Sequence, residues 1–170
     1  APSAASGSCT ACTAGKYSSS LTTCTNCPSG YVAPSAAAGS CTACVAGKYS
    51  SSLTTCSDCG AGTYASIAGQ GSCQNCPSGY IAPGTATVTC TACAAGKYSS
   101  SLTTCSDCAA GYVAPSAATG SCTACTAGTY SSSLTTCTNC PSGYVAPNAA
   151  TGSCTACVAG KYSSSLTTCS

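Results

Sequence analysis

The chain has 170 residues, 21 of them cysteine, and contains no Phe, Trp, Met or His. Its charged side chains are Lys16, Lys48, Lys97, Lys161, Asp58 and Asp107, a net charge of +2, which offers no basic patch for nucleic acid and no steering field. Five Leu, six Val and two Ile, spread evenly, cannot build one core for this length, so the cysteines imply a disulfide scaffold, extracellular or at the cell surface.

The cysteines form Cys-x-x-Cys pairs at 9/12, 24/27, 41/44, 56/59, 73/76, 90/93, 105/108, 122/125, 137/140 and 154/157, with Cys169 alone. Pair-to-pair spacing divides the chain into half-repeats of 15 and 17 residues. Residues 1–8 read as the tail of a half-repeat whose own pair is missing. Residues 9–40 form a full repeat, a short half CTACTAGKYSSSLTT followed by a long half CTNCPSGYVAPSAAAGS. Then come a short half-repeat (41–55), a long one (56–72) and an extra long one (73–89), which interrupts the 32-residue period without disturbing its neighbours. Residues 90–121 and 122–153 restore the alternation, and 154–170 is a truncated repeat. Both ends therefore read as a window on a longer array, with any signal peptide or membrane anchor outside it.

Within each unit, GKYSSSLTT and GYVAP have the composition of short strands, and Pro28-Ser29-Gly30 and its copies that of turns. No 3.6-residue apolar period survives the Gly, Pro and Ser punctuation. The expectation is a small disulfide-rich, mostly β and irregular fold. Short two-stranded ladders would stack into an elongated tandem-repeat rod.

Two regular pairings of the cysteines compete. One interleaves neighbouring pairs, Cys9 with Cys24 and Cys12 with Cys27, and strands Cys73 and Cys76 in the extra unit. The other joins the second cysteine of each pair to the first of the next. It proposes Cys12–Cys24, Cys27–Cys41, Cys44–Cys56, Cys59–Cys73, Cys76–Cys90, Cys93–Cys105, Cys108–Cys122, Cys125–Cys137, Cys140–Cys154 and Cys157–Cys169. This sequential scheme closes every unit, leaves only Cys9 over and is preferred, although spacing cannot prove a pairing.

Little else in the chain carries chemistry. Paired cysteines invite a zinc reading, but there is no His, few cations would offset a four-thiolate site, and the extra half-repeat breaks any grouping into fours. A redox thiol needs a helix start or a nearby cation, whereas these pairs sit in near-identical surroundings. With no His or Glu and two Asp in equivalent copies, no acid–base or nucleophile–base set can be assembled. The chain is expected to be neither an enzyme nor a cofactor binder.

Glycine followed by tyrosine recurs after every pair, from Gly15 and Tyr17 to Gly160 and Tyr162. Gly permits a turn and Tyr covers a disulfide; alternatively the tyrosines form an exposed ladder for self-association. SSSLTT, also repeated, is a solvated polar stretch or a site for O-linked sugar. Its candidate acceptors are Ser18, Ser19, Ser20, Thr22, Thr23, Ser50, Ser51, Ser52, Ser99, Ser100, Ser101, Ser131, Ser132, Ser133, Ser163, Ser164 and Ser165. No Asn-x-Ser/Thr site exists, because Asn26, Asn75 and Asn139 precede Cys-Pro and Asn148 precedes Ala-Ala.

The pattern Cys-x-x-Cys-x-x-Gly-x-Tyr…Ser-Cys, most complete in CSDCGAGTYASIAGQGSC (56–73), resembles the ephrin-receptor-like cysteine-rich repeat, related in style to TNF-receptor modules. The CPSGY copies depart from it by one residue. Long Ala/Ser/Thr-rich arrays of this kind also resemble protist surface proteins such as the immobilisation antigens of ciliates. The resemblance implies an extracellular chain, anchored to or coating a cell. The leading expectation is a structural surface or fibre protein. Its partners would be adjacent repeats and, through self-association, other copies in a filament or coat. A receptor-like ectodomain, binding a protein partner through the odd segment 56–89 with its Asp58, Ile67, Gln70, Gln74 and Ile81, is the second. A metal-thiolate protein is the third.

Overall fold

The same turn follows the second cysteine of every pair, and it starts each hairpin. The computed structural model describes residues 10–20 and 22–170; Cys9, Leu21 and the segment 1–8 lie outside the described residues. The amide after each turn glycine donates to the carbonyl three residues back, Lys16 to Thr13, Tyr31 to Pro28 and so on to Lys161 and Val158. The glycine itself has φ between +83° and +89° at all ten positions, Gly15 to Gly160. That is the left-handed value required at the third residue of a type II turn, and a Cβ opposes it. At most of these turns, though not at Gly62, the glycine carbonyl then accepts the amide of the second cysteine of the following pair, Cys27 to Gly15 at 3.0 Å and Cys125 to Gly111 at 2.8 Å.

Among the described residues, nine two-stranded antiparallel sheets result. In the 15-residue half-repeats the hairpin pairs strands such as Lys48–Ser50 and Cys56–Asp58, in the register Lys48↔Asp58, Tyr49↔Ser57, Ser50↔Cys56. SSSLTT is its tip, closed by the Ser51 amide on the Thr55 carbonyl at 3.1 Å. In the 17-residue half-repeats the ladder is only two residues long, Tyr31–Val32 against Thr42–Ala43, and the APSAAAG loop lies between. Strands this short are marginal alone, so each hairpin depends on its bridge and its neighbours.

The chain divides into two compact units. The first runs to Asn75 and includes Gly84–Thr89; the second combines Cys76–Pro83 with Cys90–Ser170. The extra half-repeat 73–89 is thus shared out between them. The first unit contains Cys12–Cys24, Cys27–Cys41, Cys44–Cys56 and Cys59–Cys73. The second contains Cys76–Cys90, Cys93–Cys105, Cys108–Cys122, Cys125–Cys137, Cys140–Cys154 and Cys157–Cys169. Separations alternate between 12 and 14 residues, with two 14-residue bridges in succession where the extra half-repeat enters.

Burial follows a narrow line. The second cysteine of each pair from Cys12 to Cys140 is buried, together with Val32, Val113, Val145 and five alanines, Ala33, Ala65, Ala82, Ala114 and Ala146. These alanines link successive half-repeats through the main chain. Ala33 accepts the Gly15 amide at 2.8 Å and donates to the Leu53 carbonyl at 2.9 Å. Ala114 joins Gly96 to Leu134 in the same way, and Ala146 joins Gly128 to Leu166. Ala65 joins Gly47 to Thr87, a threonine of the extra half-repeat standing where the others use leucine.

A second alanine set is strained. Ala37, Ala86, Ala118 and Ala150 have φ of 54–62°, and the fifth equivalent position holds Gly69. Their amides reach back to a cysteine carbonyl of the previous half-repeat, Ala118 to Cys93 and Ala150 to Cys125, both at 2.8 Å. The left-handed region costs an L-residue roughly 1–2 kcal/mol, partly offset by the greater unfolded freedom of glycine. Ala118→Gly is therefore expected to stabilise the oxidised chain by about 0.5–1 kcal/mol, read as a higher guanidinium midpoint. Ala114→Gly, at the buried linking position, should lower it.

Candidate functional site

The surface features that recur are hydroxyls at the hairpin tips and phenols along the ladders. The three serines of each tip differ in what they do. The first is structural: the Gly30 amide donates to Ser50 Oγ at 2.8 Å, Gly79 to Ser99 at 2.8 Å, Gly111 to Ser131 at 2.8 Å and Gly143 to Ser163 at 2.9 Å. The second is exposed and shares a proton across the hairpin. Ser51 meets Ser57 at 2.6 Å, Ser100 meets Ser106 at 2.8 Å, and Ser132 meets Thr138 at 2.6 Å. Ser19 and Thr25 do the same at 2.7 Å, and the Ser170 hydroxyl donates to Ser164 at 2.6 Å. The third, Ser52, Ser101, Ser133 or Ser165, is at the apex, and its hydroxyl bonds to the threonine two residues on. Ser18, Ser20, Thr22 and Thr23 of the first tip are exposed.

This ranking has a direct consequence. Ser99→Ala leaves the buried Gly79 amide without its acceptor, which costs about 1–3 kcal/mol. The expected outcome is faster hydrogen exchange at Gly79 and a lower denaturation midpoint, whereas Ser101→Ala at the apex changes neither.

Tyrosines fall into two registers because the turn glycine is fixed and the tyrosine is not. A one-residue shift in a strand reverses the face. In GYVAP the tyrosine directly follows the glycine and points outward. Tyr31, Tyr112 and Tyr144 are 37%, 38% and 43% exposed, and Val32, Val113 and Val145 take the inward place at 5%. One position later, in GKYS and GTY, the tyrosine is half-buried at Tyr17, Tyr49, Tyr64, Tyr98 and Tyr130 but exposed at Tyr162; Tyr80, in GYIAP, is half-buried although it directly follows its glycine. Tyr98 and Tyr112 border an open depression of about 250 Å³ with Ala109 and with Cys122 of the Cys108–Cys122 bridge.

The remaining candidates are dispersed. Asp58 and Asp107 face Lys48 and Lys97 across their hairpins as exposed ion pairs, each contributing at most about 1 kcal/mol. Of the odd-segment residues, Ile67 is exposed, Gln74 pairs with Tyr64, Gln70 is half-buried, and Ile81 belongs to the second unit. Among the described residues no three metal-binding side chains gather, and no helix is long and apolar enough to cross a membrane.

Sequence reasoning missed the linking alanines, the strained alanines and the structural serines. Their only signal is invariance across copies within this chain: the alanine before each Pro34, Pro83, Pro115 and Pro147, and the first serine of every tip.

Residues 47–93 match the family described as tyrosine-protein kinase ephrin type A/B receptor-like. The matched stretch holds the Cys59–Cys73 and Cys76–Cys90 bridges, and the same turn, hairpin and bridge recur on both sides of it. The chain is a cysteine-rich repeat array. Comparison with curated proteins gives no match. Ten disulfides among the described residues are the mark of an extracellular, oxidising setting.

Proposed function

We propose that the chain is a structural component of an extracellular coat or fibre, a disulfide-stapled rod whose hairpin tips carry O-linked sugar. The observation that carries this reading is the uniformity of the links. Within each unit, one half-repeat is joined to the next by the same main-chain bonds through Ala33, Ala65, Ala114 and Ala146. Such nearest-neighbour coupling is how repeat proteins extend in one dimension. A surface with six charged side chains resists association between copies poorly, which suits lateral packing.

Small-angle scattering tests the rod. Chain folded back on itself should advance roughly 12–18 Å per half-repeat, giving a length more than about three times the width. A compact globule would sink the proposal. Glycopeptide mapping of the native material tests the sugar: attachment is expected at apex positions such as Ser52, Ser101 and Ser133, and not at Ser50, Ser99 or Ser131.

The match of residues 47–93 to a receptor-like family favours a second reading, an ectodomain that binds a protein partner through 56–89. Replacing that segment with a copy of 105–121 would then abolish capture of the partner while leaving the scattering profile of a rod.

A further inference from the structure

The array is depleted in every side chain that oxidants usually attack except one. Met, Trp and His are absent, and every cysteine from Cys12 to Cys169 is in a disulfide. Methionine and free thiol are the ordinary sinks for oxidising equivalents. Beyond Cys9, which lies outside the described residues, tyrosine is what remains, ten copies of it. Among the described residues no phenolic hydroxyl is held in a hydrogen bond. Exposure sorts these phenols: Tyr31, Tyr112, Tyr144 and Tyr162 are exposed, whereas Tyr17, Tyr49, Tyr64, Tyr80, Tyr98 and Tyr130 are half-buried.

We propose that the outward tyrosines of the 17-residue half-repeats are cross-linking sites, coupled oxidatively to tyrosines of a second copy of this chain by a haem peroxidase using hydrogen peroxide. The chemistry balances. Each of two phenols gives up one hydrogen atom, and the two phenoxyl radicals join through a carbon–carbon bond between ring positions ortho to oxygen. The hydrogen on each joined carbon then returns to its oxygen, restoring both rings. The two hydrogen atoms removed reduce one hydrogen peroxide to two waters. Steric access to the ortho carbons is the requirement on the protein; exposures of 37%, 38% and 43% at positions 31, 112 and 144 favour it, with the Tyr31 ring resting one ortho carbon toward Gly69. Little charge opposes approach of a second copy. A chain with three or more such sites is linked into a network and not merely into pairs. The proposal extends the coat reading by giving the coat a covalent weld independent of its disulfides.

The test uses the whole oxidised chain with a haem peroxidase and hydrogen peroxide, followed by reducing gel electrophoresis, dityrosine fluorescence and mapping of cross-linked peptides. Multimers that survive reduction, with links mapping to Tyr31, Tyr112, Tyr144 and the exposed Tyr162, are expected. The combined variant Tyr31→Phe, Tyr112→Phe, Tyr144→Phe and Tyr162→Phe should lose them; Tyr162 is included because it is 67% exposed in this chain. The matching variant Tyr17→Phe, Tyr49→Phe, Tyr98→Phe and Tyr130→Phe should keep them. Since only a phenolic oxygen is removed, both variants should fold, which an unchanged native mass with no alkylatable thiol beyond Cys9 verifies. Monomers linked only internally, as between Tyr98 and Tyr112 beside their shared depression, overturn the proposal. So do links mapping to the half-buried set in the wild-type chain. Scattering from untreated chain judges the rod separately, so the two readings fail independently.

Discussion

Full reduction of the disulfides is expected to unfold the entire chain in ordinary buffer. The fully buried side chains of greatest volume are cysteines, Cys44, Cys59, Cys93 and Cys125, and the buried large aliphatics among the described residues are Val32, Val113 and Val145. Burying each valine contributes roughly 1.5–3 kcal/mol. Ordering each residue costs about 1–2 kcal/mol of backbone entropy, so three valines and a line of alanines cannot hold this chain folded. Each bridge closes a loop across 12 or 14 residues, worth about 3 kcal/mol in the chain-entropy account. After reduction and alkylation the hydrodynamic radius should grow to that of a disordered chain and amide protection should vanish. Protection that persists in the hairpins would show that packing, and not the bridges, carries the fold. Removing one bridge alone, with Cys108→Ala and Cys122→Ala together, should cost about 2–5 kcal/mol and act locally. Exchange would rise around Tyr112–Val113 and Thr123–Ala124, with the Lys48–Ser50 hairpin unchanged.

Gly79→Ala should be among the most damaging small substitutions. A Cβ built on Gly79 would lie 2.0 Å from the carbonyl oxygen of Ala118 and 3.1 Å from its Cα, and Gly79 has φ of +87°. The obstacle is main chain from the half-repeat after next, which cannot swing aside as a side chain could. Left-handed strain of roughly 1–2 kcal/mol and overpacking of roughly 1–3 kcal/mol combine to a loss of about 3–5 kcal/mol. Gly111→Ala meets the Ala150 carbonyl at the same 2.0 Å and should behave alike. Gly84→Ala, with nothing within 4 Å, should be nearly neutral. The comparison is made on denaturation midpoints of the oxidised proteins. Equal midpoints for Gly79→Ala and Gly84→Ala would mean that the half-repeats do not approach as closely as described.

The local structure was readable in the residues themselves. The cysteine pairs, the glycine three positions beyond, and the tyrosine or valine after it specify a turn and a short hairpin, and the absence of helix follows from punctuation by Gly, Pro and Ser. What spans 18 to 39 residues was not readable. Gly79 looks like a turn glycine, yet the carbonyl of Ala118 lies where its side chain would be. Ser99 looks like the first of three equivalent hydroxyls, yet it alone receives an amide from the preceding half-repeat. The tyrosines look like one class until the fixed glycine gives them two registers. Composition and spacing describe a half-repeat in isolation, and these roles exist only where one half-repeat meets another.

The links between half-repeats run through the main chain and demand particular side chains at few places. The residue just after the pair that opens each 15-residue half-repeat is not one of them: Thr13, Val45, Ala94, Thr126 and Val158 occupy that exposed position in successive copies, and Val45 and Val158 are 59% and 71% exposed. The chain has already tried a hydroxyl, a methyl and an isopropyl there without altering its frame. A surface built this way can change its exposed side chains at almost no cost in stability. Its length can change as freely, one half-repeat at a time, as residues 73–89 record.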